Sequence, residues 1–145
     1  MHFRTALTLL VLLLAGCATQ PTPLQGAFAT TTPDDATTGD STGAMVRWGG
    51  RIVRTEPLAN RTCFEVLSTR LDRYARPYWA TDDVGSRFIA CRTGFFDPAL
   101  FQPNREVTFT GLIDGYENRR IGQYDYRFPR LAADVIYLWP IRRFS

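Results

Sequence analysis

The sequence predicts an all-β domain, and three observations predict it. From residue 44 onward the 145-residue chain runs as five β-rich segments separated by turn residues. The first of them carries Gly49-Gly50 in its middle, and glycine inside a strand marks a bulge or a sharp bend. A single helix-compatible stretch stands between the third segment and the fourth. Together these point to a small OB-like five-stranded barrel with one short helix. In such a barrel one bent strand pairs on both sides to close the sheet, and the helix plugs one end. A small β-sandwich is the alternative.

The elements follow in order. Residues 45–55 (MVRWGGRIVRT) form the long, bent first strand, and residues 62–71 (TCFEVLSTRL) the second. Residues 87–92 (RFIACR) are the third. In residues 106–114 (EVTFTGLID), Val107, Phe109, Gly111 and Ile113 share one face at period two. Residues 133–139 (ADVIYLW) are the fifth, stopped by Pro140, and 124–128 are a candidate extra strand. The helix is expected over residues 97–103, where Asp97 caps the open N–H groups, Pro98 suits the first helical position and Pro103 ends it. Trp48 and Trp139 are expected in the core.

The N-terminus reads as an address and an anchor. Residues 1–4 are short and positively charged, and residues 6–14 (ALTLLVLLL) are apolar. That run is shorter than the roughly 20 residues a membrane span needs and fits the apolar region of a secretory signal. Leu14-Ala15-Gly16-Cys17 follows at once and resembles the lipobox of bacterial lipoproteins. There the chain is cut before a cysteine whose sulfur takes lipid. Residues 1–16 are thus a lipoprotein signal peptide and Cys17 the lipid attachment site. The resemblance implies three acyl chains, which anchor stably where one gives only marginal binding. Ala18, in place of Asp, implies by the same resemblance the outer membrane, facing the periplasm.

Residues 17–43 are expected to be the lipidated N-terminus and a disordered tether. After Cys17 they contain eight Thr, three Pro and three Gly, with Leu24 and Phe28 the only large apolar side chains. Such a segment buries too little surface to offset its ordering entropy; docking of Leu24-Gln25-Gly26 on the domain is the alternative. A coil of this length spans about 25–30 Å. Residues 44–145 are the barrel domain.

Composition excludes much chemistry. The only histidine is His2 and there is no lysine. His-based acid–base catalysis, His-ligated metals and Lys nucleophiles are therefore absent from residues 17–145. No metal, cofactor or enzymatic activity is expected. All 17 basic side chains are arginine and formal net charge is +3. No run reaches the five or six like charges of a nucleic-acid arm, so nucleic acid is not an expected partner. Arg119-Arg120 and Arg142-Arg143 are the densest cationic pairs, either part of an ordinary mixed surface or a candidate patch for phosphate or acidic glycans.

Four groups of residues then resemble one family in their order and spacing. They are Arg47-Trp48-Gly49-Gly50, Gly94-Phe95 with Asp97-Pro98, Ile121-Gly122-Gln123-Tyr124 with Phe128-Pro129, and Tyr137-Leu138-Trp139-Pro140. The resemblance is to the Slp family of outer-membrane lipoproteins. It covers about residues 44–140 plus the lipobox, and it implies a role tied to starvation or stationary phase with no established enzymatic activity. Cys63 and Cys91 are not part of that family pattern. If their strands are antiparallel neighbours the thiols face one another, and an oxidising periplasm favours a disulfide. At unmatched positions they remain two buried thiols.

The leading expectation is a non-catalytic outer-membrane lipoprotein with a structural or interaction role in the envelope. Its partners are the membrane, through the lipid, and an envelope protein or glycan. The alternative is a binding module for glycan or an anionic envelope polymer. That module would use Tyr116, Arg119, Arg120, Tyr124 and Tyr126 on one barrel face, if these form a contiguous groove. Tyr74, Tyr78 and Trp79, interleaved with Arg73 and Arg76, form a second aromatic group in the connection after the second strand.

Overall fold

The computed structural model describes residues 19–79 and 84–143. The expected signal peptide and Cys17 lie outside the described residues. Five strands, β1 (Met45–Pro57), β2 (Arg61–Thr69), β3 (Val84–Thr93), β4 (Glu106–Ile121) and β5 (Tyr124–Leu138), close a barrel in the order β1-β2-β3-β5-β4. All neighbours are antiparallel except β3 and β5, which are parallel. This is a five-stranded barrel of the OB type.

Closure depends on Gly49-Gly50. Gly49 opposes Thr69 of β2 and Thr108 of β4, while Gly50 opposes Ser68 and Val107. A Cβ on Gly50 would lie 2.0 Å from the Leu67 carbonyl oxygen, and one on Gly49 2.6 Å from that of Val107. Backbone occupies the space a side chain would need, so β1 can curl between two partners.

The segments at 124–128 and 133–139 are one continuous strand, and β4 runs past residue 114 to meet it. Ile121 opposes Tyr124 across the two-residue turn Gly122-Gln123, with Gly122 at φ +60°, the left-handed region that tight hairpins require. The outer part of this hairpin carries Ile121, Tyr126 and Phe128 against Cys63, Ile89 and Cys91. Those three alternate along β2 and β3 with Phe64, Phe88 and Ala90, which face the main core. The two sheet faces are therefore both covered here. Cys63 opposes Cys91 in register, with Cα atoms 4.1 Å apart, and the pair is joined as a disulfide.

Among the described residues there is one short α-helix, but not at residues 97–103. Residues 97–101 make a single turn, in which the N–H groups of Leu100 and Phe101 both donate to the Asp97 carbonyl. Phe96 and Phe101 turn inward instead and stack on Phe64 at 5.9 and 5.3 Å. Two rings thus plug that end. The helix, α1 (Pro33–Thr38), precedes β1. Thr32 caps it: its Oγ1 accepts from Asp35 N–H at 3.1 Å, and its own N–H donates to Asp35 Oδ2 at 3.1 Å. Ala36 of α1 reaches the main core.

Residues 19–43 correct the expectation of a disordered tether. They form an ordered strap. Leu24, in a 3-10 turn (Thr22–Leu24), is 0% exposed and packs with Ala75 and Trp139. Trp48 Nε1 donates to the Thr31 carbonyl at 2.8 Å, and Arg47 Nη1 to the Leu24 carbonyl at 2.8 Å. Ala29 N–H pairs with Met45, and Gly43 N–H with Ile113. The strap lacks apolar surface of its own. It is ordered because the barrel supplies that surface and the hydrogen-bond partners, which offset the entropy of fixing it.

Candidate functional site

The residues nominated on the β4–β5 hairpin do not form one surface. Register places Asn118 opposite Arg127 and Arg120 opposite Asp125, but Arg119 opposite Tyr126 and Ile121 opposite Tyr124. Because side chains alternate, Tyr116 and Arg120 stand on one face of the hairpin. Arg119, Tyr124 and Tyr126 stand on the other. The contiguous Tyr/Arg groove expected from sequence is therefore absent.

Most of these groups are engaged within the fold. The Arg127 guanidinium lies 3.6 Å from the Tyr116 ring centroid and donates to the Gly39 carbonyl at 2.7 Å, just beyond the end of α1, where a cation complements the helix dipole. Tyr116 OH accepts the Ser41 N–H at 2.7 Å. Tyr126 OH accepts the Arg87 N–H at 2.8 Å while its ring packs on Phe128. Arg119 pairs with Glu117 and Glu56, and Arg120 pairs with Asp125 at the surface. Tyr124 is the exception, at 69% exposed.

Arg142, nominated for phosphate, instead grips a carboxylate. Its Nε and Nη2 donate to Glu106 Oε1 and Oε2 at 2.9 Å each, and Arg76 Nη2 donates to Oε1 at 2.8 Å. Burial pushes the Glu106 carboxyl up, but the hydrogen bonds from Arg142 and Arg76 outweigh it and leave its pKa below the ordinary 4.5. The same arginines donate to the carbonyls of Pro77 and Pro140. Glu106 thus ties the loop after β2 to the chain beyond β5. Trp139 Nε1 adds a hydrogen bond to Thr108 Oγ1, which donates to the Ala75 carbonyl.

Two clefts flank the strap. The larger, about 700 Å³, lies between the strap and the rim of β1, β2 and β3, with Phe28, Trp48 and Leu71 as apolar wall. Its charged groups are committed: Asp34 Oδ1 accepts the Ser86 N–H at 2.6 Å, and Arg47 holds Gln20 and Leu24. The smaller, about 540 Å³, sets residues 19–22 of the strap against Tyr74, Arg76, Tyr137 and Trp139. Among the described residues no group of three His, Cys, Asp or Glu side chains is placed to hold a metal. The two most enclosed acids among the described residues both face guanidiniums: Glu65 pairs with Arg87 at 3.2 Å, and Glu106 with Arg76 and Arg142. This arrangement holds segments of the chain together.

Beyond docking at Leu24, sequence reasoning missed the capped helix of the strap and the Glu106 junction. The capping sequence Thr32-Pro33-Asp34-Asp35 was the available signal for the first. Nothing in the local pattern marks Glu106, whose partners lie 30 and 36 residues away.

Comparison with known proteins gives a consistent result. The family described as "Outer membrane lipoprotein Slp family" matches residues 14–145. A Haemophilus influenzae protein described as uncharacterized is 34% identical over 135 residues, covering 88% of this chain and 71% of that one. The uncharacterized lipoprotein YeaY of Escherichia coli is 31% identical, covering 88% of this chain and 67% of that one. The outer membrane protein Slp of Escherichia coli is 30% identical over 100 residues. This chain spans about half (52%) of the length of Slp, and the match covers 69% of this chain.

Proposed function

The chain belongs to the Slp family of outer membrane lipoproteins, and from that premise we propose a non-catalytic envelope protein, held by lipid on Cys17 and facing the periplasm, with a structural or interaction role. The observation that carries the non-catalytic reading is the state of its polar groups. The partly buried carboxylate Glu106 is clamped by Arg76 and Arg142, and the tyrosines and arginines of the hairpin mostly serve the fold. A role tied to starvation is part of the same proposal. The lipid reading is supported by the matched span, which begins at residue 14 and takes in Leu14-Ala15-Gly16-Cys17.

Metabolic labelling with a palmitate analogue tests the anchor. The wild-type chain incorporates label and sediments with outer membranes, while Cys17→Ser loses the label and is recovered in the soluble periplasmic fraction. A Cys17→Ser chain that still fractionates with the outer membrane would overturn the anchor. The polymer-binding reading has less support, since Tyr116 and Arg120 stand on one side of the hairpin and Arg119, Tyr124 and Tyr126 on the other.

A further inference from the structure

We propose that the barrel rests directly on the lipid surface, through a patch of exposed aromatic and apolar side chains beside the start of the strap. The proposal rests on the lipid anchor at Cys17. Its first observation is a length. Gln20 is already fixed, its Oε1 accepting from Arg47 Nη1 at 3.1 Å and its carbonyl from Gln25 Nε2 at 2.9 Å. Two residues lie between it and Cys17, and the three steps from Cys17 to Gln20, even fully extended, reach only about 10 Å. The headgroup layer on each side of a bilayer is itself about 5–8 Å deep. A domain tied this closely has only a few ångströms of slack beyond the headgroup layer, which holds the face around Gln20 at the lipid surface.

The second observation identifies that face. Residues 19–22 line one cleft with Tyr74. Tyr74 is followed by Tyr78 and Trp79, exposed by 37%, 37% and 60%. The loop carrying Tyr74 and Tyr78 is tied by the Arg76–Glu106–Arg142 junction to the segment bearing Ile141, which is 71% exposed. Rings with an apolar body and a polar edge favour the membrane–water interface. Arg73 stacks on Tyr74 at 4.9 Å and Arg143 follows Arg142, so exposed guanidinium groups accompany the patch. These suit the phosphates of anionic headgroups. The occupant is therefore the membrane that holds the acyl chains.

Tryptophan emission reads this out. Trp48 and Trp139 are buried in the fold, whereas Trp79 is exposed. The full lipidated protein is placed in vesicles of phosphatidylethanolamine and phosphatidylglycerol, with and without brominated acyl chains. The proposal expects brominated lipid to quench a component of the emission that Trp79→Phe removes. Tyr74→Ser/Ile141→Ser should weaken the quenching while the protein still floats with the vesicles. A protein that floats but shows no quenching at Trp79 would overturn the docking and leave the anchor standing. A lipid-labelling-negative protein that does not float would overturn both.

Discussion

Breaking the Cys63–Cys91 disulfide isolates one contribution to stability. The bridge spans a sequence separation of 28. In the chain-entropy model, closing such a loop removes about 12 cal/mol/K from the unfolded ensemble, or about 3.6 kcal/mol at 25 °C. The folded state should change little on reduction. The two sulfurs would remain in the cluster of Ile89 and Phe128, and the flanking β2–β3 pairs, Thr62 with Arg92 and Phe64 with Ala90, do not depend on the bond. The effect therefore acts almost wholly through the unfolded chain. With a denaturant slope of about 2 kcal/mol/M, the urea midpoint should fall by about 1.8 M between the oxidised and reduced forms of one Cys17→Ser chain. Comparing one sequence in two redox states avoids any change of side-chain volume. Superimposable unfolding curves would refute the reasoning, as would mass spectrometry showing two free thiols in the folded, oxidised preparation.

Leu24→Ala should cost about 2–4 kcal/mol and raise amide exchange across the strap more than across β2, which exchange mass spectrometry would resolve. Gly50→Ala should prevent barrel closure, since its Cβ would meet the Leu67 carbonyl at 2.0 Å; overpacking of this kind typically costs about 1–3 kcal/mol and more where backbone cannot shift, so circular dichroism should report loss of the cooperative transition. Glu106 has a folded-state pKa below its ordinary value. Its contribution is thus present above about pH 4.5 and is lost as pH falls through the depressed value. Glu106→Gln should destabilise at neutral pH by about 3 kcal/mol, because two partly buried guanidiniums lose their counter-charge, and it should flatten the acid limb of the pH–stability profile.

The barrel was legible because its determinants are local. Gly49-Gly50 marked the bent strand, and the alternation of Val107, Phe109 and Ile113 marked a sheet face that the structure places in the core. The strap was not legible, because its order depends on distant partners. Leu24 and Ala36 are too few to form a core, and only Trp139 and the barrel interior make them worth burying. The helix expected at Asp97-Pro98 lost to a competing demand: Phe96 and Phe101 both turn inward to fill the barrel end, leaving one turn. The hairpin residues were nominated by type, and type does not reveal which side of a strand a side chain takes. A single step in register separates Arg119 from Arg120.

The last strand has a consequence for the order of events. β5 is the only strand joining β3 to β4, and the residues after it complete the junction on Glu106. Until β5 and the residues through about 140 are available, the sheet is an open ribbon with two unsatisfied edges. The barrel can therefore close only after β5 has emerged, and a nascent chain stalled before it would present those bare edges to chaperones and proteases rather than a partly built domain.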